Sequence, residues 1–194
     1  MGDRAFTWIL LPRGEDDVGA WVEATANALK NESGEKGDEA AHRGLVARLA
    51  ESARLGIQSG YPAGLLFVPD PRIDAPHVRF ALAAVPALHA DAAVDQRELL
   101  GLDDLGDFSG QVDDLRVHGI DGYQLFRVDK VQEAPDSEVL IATLITAIRR
   151  NVPGLGPRDL VVAGVSSEVV LTAGAVVPVV DLLLGEDLLT LLGG

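Results

Sequence analysis

The chain is defined first by what it lacks. Its 194 residues include no cysteine, which excludes disulfide bonds, thiolate metal ligands and cysteine nucleophiles. Phe, Trp and Tyr together account for only 5% of the residues. An apolar fraction of 47% and a charged fraction of 24% are nevertheless typical of a globular protein with a core of ordinary size.

Long apolar runs are also missing. The first residues do not show the basic-then-apolar layout of a secretory signal peptide. The longest nearly uncharged stretch, 169–184, has 16 residues and falls short of the roughly 20 that span a bilayer. We therefore expect a cytoplasmic protein that does not enter a membrane.

Positive charge is scarce, and negative charge is concentrated in one region. The net charge is −14, of which residues 91–138 supply −9 through 13 acidic and 4 basic side chains. Such a band repels phosphate backbones and anionic lipid, so we expect neither nucleic-acid nor membrane-surface binding. It is either a solvated face or a landing surface for a basic partner.

The clearest structural signal is the uncharged stretch 139–148. Six of its ten residues are β-branched and both alternating faces are apolar, which predicts a central strand covered on both sides. A buried helix is the alternative, which the length of the stretch alone does not exclude. Alternating patterns predict further strands before and after it, two of them joined as a hairpin across 118–122. Helical periodicity appears at 18–30 and 43–54, and again in the apolar C-terminus. Residues 86–110 show no clear pattern beyond a possible helical turn at 95–100.

These elements predict one α+β domain, residues 1–194. Its mostly antiparallel meander sheet is flanked by two N-terminal helices and one C-terminal helix. Strands closing with Leu160-Val-Val-Ala-Gly-Val-Ser-Ser167, followed by the apolar run Val176–Leu184, resemble the ending of PsbP-like α/β/α sandwich proteins of the actinobacterial LpqN type. The resemblance covers 111–194 and lies in element order and texture. The two early helices and the missing lipoprotein signal depart from it. It implies a binding or accessory protein without catalysis.

Motifs for chemistry are incomplete. Gly154 and Gly156 lack the third glycine of a dinucleotide fingerprint, and the acidic stretch 103–110 does not match a calcium loop. The sequence Gly164-Val-Ser-Ser-Glu168 lacks the last glycine of a nucleophile elbow. We therefore expect no catalytic residues, no cofactor and no metal. The four histidines are not spaced as metal ligands: His42, His77, His89 and His118.

Two tryptophans and the leucine-rich C-terminus complete the candidates. Trp8 and Trp21 are expected in the core, with an aromatic ligand pocket as the alternative. The end of the chain has no wide polar face, and Gly185 is expected to break the helix there. The leucines beyond that glycine are predicted to project into an interface, most simply of a two-fold homodimer: Leu188, Leu189, Leu191 and Leu192.

Three functions remain open at the level of sequence. The first is a non-catalytic protein-interaction or accessory domain, whose partner is another protein or a second copy of the chain. The second is a carrier of a small apolar ligand, which a pocket of several hundred cubic ångströms would favour. The third is an enzyme whose residues meet only in three dimensions, for which a cleft that gathers Asp or Glu with His77 or His118 is the expected sign.

Overall fold

The computed structural model describes residues 6–14, 16–33, 39–60, 63–70, 76–102, 110–117, 120–135, 137–185 and 188. The chain divides into two compact units, residues 1–81 and 82–194. Within the described part, no helix combines the length and the apolarity needed to cross a bilayer. The fold is α+β with a mostly antiparallel sheet, as the sequence predicts.

The first unit places two helices between its first two strands. The hydrogen-bonded strand order is β1-β2-β3, and β1 pairs antiparallel with β2. The side chain of Asp17, just before the first helix, accepts a hydrogen bond from the Ala20 N–H at 3.1 Å and so satisfies a free helical donor. The elements are β1 (Thr7–Leu10), α1 (Val18–Ser33), α2 (Glu39–Gln58), β2 (Ala63–Val68) and β3 (Val78–Pro86), which continues into the second unit.

The core of this unit forms where the apolar stripes of α1 and α2 meet β2. Val22, Ala26 and Leu29 of α1 follow helical spacing and are buried, which is why this stretch becomes an amphipathic helix. Leu45 and Leu49 of α2 belong to the same cluster. The chain therefore closes this core with aliphatic side chains from two consecutive helices, as their periodicity predicts.

The second unit is built on an antiparallel meander. Its strand order is β3-β7-β6-β5-β4, and antiparallel pairs join β4 to β5, β5 to β6 and β6 to β7. Residues 139–148 lie within β6, and 142–148 pair with β5 on one side and β7 on the other, so the predicted central strand is confirmed there, whereas 139–141 pair with β5 alone among the described strands. The strands are β4 (Gly110–Val117), β5 (Ile120–Ala134), β6 (Ser137–Val152) and β7 (Gly156–Ser166).

The helices of this unit differ from the sequence prediction in two places. An eight-residue helix, α3 (Ala92–Leu99), lies within the stretch 86–110 that the sequence leaves irregular, and Asp91 caps it by accepting from the Ala93 N–H at 3.0 Å. The single C-terminal helix is instead two helices, α4 (Val169–Gly174) and α5 (Val176–Leu184), which meet at Ala175. Gly185 ends α5, in agreement with the prediction.

One end of the β5–β6 hairpin extends beyond its neighbour. The pairing of β6 with β7 ends at Ala142 opposite Ser166, whereas β5 and β6 continue to pair as far as Ala134 opposite Ser137. Among the described residues, no strand pairs with the outer side of residues 137–141. We call residues 128–141 the hairpin overhang.

Candidate binding pocket

A partly buried arginine, Arg149, organises the polar centre of the second unit. The Arg149 guanidinium donates to Asp159 through Nε (3.1 Å to Oδ1) and Nη2 (2.6 Å to Oδ2). Nη2 also donates to Asp95 Oδ2 at 2.5 Å, and Nη1 donates to the carbonyl oxygens of His89 at 2.6 Å and Ala90 at 3.5 Å. The five N–H groups thus all have acceptors, as a partly buried charge requires. The hydrogen bond to Asp159 raises the pKa of this guanidinium and Asp95 adds to the effect, while burial opposes it.

Asp95 is the second member of the cluster and is buried in α3. Its Oδ2 accepts hydrogen bonds from the backbone N–H groups of Leu88 (2.8 Å) and His89 (3.0 Å), and its Oδ1 accepts from His89 Nδ1. The His89 backbone donor is the main cause that holds the pKa of Asp95 well below its usual range; the His89 ring, Leu88 and Arg149 contribute further, against the effect of burial. Asp95 is therefore an ionised carboxylate at neutral pH.

Asp159 and Gln96 complete the cluster, and both are 0% exposed. Gln96 Nε2 donates to Asp159 Oδ1 at 3.1 Å, whereas the Gln96 side-chain oxygen has no hydrogen-bond partner among the described residues. The antiparallel register of β6 and β7 places Arg149 directly opposite Asp159, which explains how strand pairing assembles the ion pair. We call Asp95, Gln96, Arg149 and Asp159 the Arg149 cluster.

A half-open cavity of about 380 Å³ adjoins this cluster. It lies within the second unit, between the end of β3, the turn that follows and α3, and we call it the α3 pocket. This volume is within the usual range for small-molecule sites, roughly 300–1,000 Å³. Four apolar residues and three carboxylates line it: Val85, Pro86, Leu88, Leu99, Asp95, Glu98 and Asp159.

His89 and Asp95 are hydrogen-bonded like a catalytic acid–base pair, but His89 does not face the α3 pocket. Because an ionised carboxylate only accepts hydrogen bonds, the Nδ1 of His89 carries the hydrogen that Asp95 receives. His89 does not line the α3 pocket, so the pair is not placed to act on a molecule held there. The geometry suits a structural clamp beside a binding pocket.

The sequence-derived candidates for chemistry do not converge on this pocket. His77 hydrogen-bonds Ser52 Oγ at 3.0 Å in the first unit, while His118 and the acidic stretch 103–109 lie outside the described residues. Ser166, from the incomplete nucleophile elbow, accepts from the Glu168 N–H at 3.0 Å and so acts as a turn residue before α4. The described residues hold no group of three or more His, Asp or Glu side chains placed to bind a metal ion.

The tryptophans belong to the first unit and pack separately. Trp8 contacts the rings of Phe67 and Phe80, with centroids 5.1 and 5.6 Å away, while Trp21 packs against the core and donates from Nε1 to the Leu10 carbonyl at 3.1 Å. Both side chains are partly buried against apolar neighbours rather than enclosed in the core. They do not line the α3 pocket.

The predicted C-terminal interface falls largely beyond what the structure describes. Leu188 is only 2% exposed within the single chain, so it does not project as the sequence pattern suggests. Burial of this side chain stabilises the folded chain by about 1.5–3 kcal/mol, which explains why Leu188 packs into its own chain. Leu189, Leu191 and Leu192 lie outside the described residues, and an interface there stays a prediction.

The Arg149 cluster is not among the sites predicted from the sequence, although the sequence carries one signal for it. Arg149 directly follows the apolar stretch of β6, and Asp159 directly precedes that of β7. Opposite charges that flank a short strand-to-strand turn face each other once the register is known. By contrast, Asp95 is 54 residues from Arg149 and only the fold brings the two together.

Comparisons of the chain with protein-family models, with characterised proteins and with solved structures give no match. The geometry of the described residues is therefore the basis on which a function can be assigned.

Proposed function

We propose that this chain is a non-catalytic binding domain and that the α3 pocket is its binding site for a small ligand. The observation that carries the proposal is the cavity of about 380 Å³, in which apolar walls meet fixed polar groups. That combination is typical of ligand sites, since the apolar walls provide affinity and the polar groups fix orientation.

The surroundings of the pocket support this role because they fix its shape. Arg149 holds together the turn at His89–Ala90, α3 through Asp95, and β7 through Asp159. A pre-formed site loses little conformational freedom on binding, which favours affinity. The resemblance to PsbP-like accessory proteins implies the same kind of role, and we retain a cytoplasmic location as part of the proposal.

Pocket occupancy can be tested with the neutral apolar dye Nile red. We expect saturable one-to-one binding that Leu99→Trp abolishes, because an indole at this lining position fills the cavity. Val170→Trp is the matched control: it adds the same side chain at an 83% exposed position on α4 and leaves dye binding intact. Unsaturable binding, or a folded Leu99→Trp protein that binds as before, contradicts the proposal.

The hairpin overhang favours a second candidate function, association with another protein and most simply with a second copy. The outer backbone edge of residues 137–141 has no strand partner among the described residues, and Leu140 on it is 47% exposed. Such an edge is a template for pairing with another extended segment. An antiparallel two-fold pairing centred on Val139 sets Glu138 opposite Leu140 of the second copy and brings no like charges face to face.

A further inference from the structure

The charged residues described in the lining of the α3 pocket are of one sign. Asp95, Glu98 and Asp159 are acidic, and no basic residue is among the described lining. Arg149 neutralises one of the two buried aspartates, yet it is not itself part of the pocket wall. Three carboxylates and one guanidinium give a formal excess of negative charge beside the cavity.

The hydrogen-bonding groups around the pocket also differ in availability: acceptors remain open, whereas the guanidinium donors are all used. Asp95 Oδ1 receives a single donor from the described residues, although a carboxylate oxygen can accept two. Asp159 also lines the pocket but is 0% exposed, so Asp95 and the exposed Glu98 are the lining carboxylates that a ligand can reach. By contrast, every N–H of Arg149 is already used. The polar side of the pocket therefore offers acceptors for a ligand's donors, whereas the guanidinium has no free N–H to donate.

The other half of the lining is aliphatic. Val85, Pro86, Leu88 and Leu99 form a wall without polar side-chain atoms, and Leu88 is 75% exposed. Exposure of a leucine side chain to water is unfavourable, so a ligand that covers Leu88 gains binding free energy from burying its apolar surface. An inorganic cation makes no use of this wall, and the described carboxylates are not grouped as a metal-ligand set.

We infer that the α3 pocket binds a small amphipathic organic cation, in which an ammonium or guanidinium group donates to the carboxylates while an apolar body covers Leu88 and Leu99. This inference rests on the proposed ligand-binding function and adds the chemical class of the ligand. A cation supplies donors for these acceptors and compensates the excess negative charge, whereas an anion of the same size does neither.

A matched ligand series tests the class directly by calorimetry at pH 7. The probes are hexylammonium, hexan-1-ol and hexanoate, which share one apolar body and differ in charge. We expect hexylammonium to bind about tenfold or more tightly than hexanol, in line with the strength of charge-assisted hydrogen bonds. Hexanoate is expected to show no binding, and Leu99→Trp should remove hexylammonium binding.

Glu98→Gln then separates charge from shape, since Glu98 is exposed and no described residue hydrogen-bonds its side chain. It should weaken hexylammonium by about two- to fivefold, as expected for an exposed charge, and leave hexanol unchanged. Glu133→Gln changes the net charge equally at an exposed residue of the hairpin overhang and should change neither affinity. This control removes any general effect of the −14 charge.

The outcomes are distinguishable. If Nile red and hexanol bind but hexylammonium shows no advantage, the pocket holds ligands and the cation inference is wrong. Hexanoate binding as tightly as hexylammonium, or equal responses to Glu98→Gln and Glu133→Gln, also overturns the inference. If Nile red and all three probes fail to bind the folded protein, both the inference and the proposed ligand-binding function fail.

Discussion

At the scale of single residues, His77 makes stability depend on pH. Burial lowers the pKa of His77 from 6.5 to about 4, and the positive charges of Arg48 and Arg79 act in the same direction. Between those values the unfolded chain binds a proton that the native state does not, so stability is complete above about pH 6.5 and falls as pH drops towards 4. At 1.36 kcal/mol per pKa unit, the loss is at most about 3 kcal/mol.

His77→Gln should flatten this dependence because glutamine can still hydrogen-bond Ser52 but does not titrate. The measurement is the free energy of unfolding in urea at pH 4.5, 5.5 and 7, for the wild type, His77→Gln and the control His42→Gln. His42→Gln should keep the wild-type slope, since His77 is still present. An unchanged slope in His77→Gln would show that other groups cause the pH dependence.

The same residue scale shows where sequence reasoning stops. His77 and Ser52 are 25 residues apart in the sequence, and Asp95 and Arg149 are 54 apart. Local sequence spacing therefore cannot predict either contact. The pair Arg149 and Asp159 is different, because it follows from the β6–β7 register and could be predicted once that turn is placed. Polar partners joined by strand pairing are therefore readable from sequence, while those joined only by tertiary packing are not.

At the scale of elements, β5 and β6 approach too closely at one point to accept any side chain. A Cβ on Gly122 would lie 2.6 Å from the Ala147 carbonyl oxygen and 2.9 Å from Ile148 Cγ1. The oxygen belongs to the backbone of the central strand and cannot move away cheaply. Gly122→Ala should therefore lower the free energy of unfolding by about 1–3 kcal/mol, as overpacked sites do.

Gly174→Ala at the end of α4 is the matched control, because a Cβ there meets nothing within 4 Å. Alanine exceeds glycine in helix propensity by roughly 1 kcal/mol, so this variant should be neutral or more stable. Urea unfolding of both variants measures the difference. Equal effects of the two substitutions would contradict the close approach at Gly122.

The success of prediction also varied with the kind of element. Strand β6 was predictable because ten consecutive uncharged residues, rich in β-branching, favour a strand over the alternative of a buried helix. Helix α3 was predicted only as a possible helical turn at 95–100, because it has only eight residues and its two buried side chains, Asp95 and Gln96, are polar. Apolar periodicity cannot signal a helix that is held by hydrogen bonds to Arg149 and Asp159.

At the scale of the whole molecule, the burial of Leu188 removes one reason to expect a partner protein at the C-terminus. A leucine-rich end without a polar face is compatible both with an interface and with packing onto the chain's own core, and hydrophobic pattern cannot distinguish them. The structure places Leu188 in the second category. The proposed self-association therefore rests on the outer edge of β6, where no described strand pairs with the backbone of residues 137–141.

Pairing of two hairpin overhangs about a two-fold axis predicts a specific crosslink. Since the chain has no cysteine, a single introduced thiol can bridge only to the same position of a second copy. Val139→Cys lies on the proposed axis and should form a disulfide-linked dimer under mild oxidation. Ser137→Cys is the control: it faces Ile141 of the second copy, so its own counterpart is about 13 Å away, roughly four residues of strand, and out of disulfide reach. Sedimentation of the unmodified chain should show a reversible dimer, and a monomer at high micromolar concentration, or equal crosslinking at both positions, excludes this pairing.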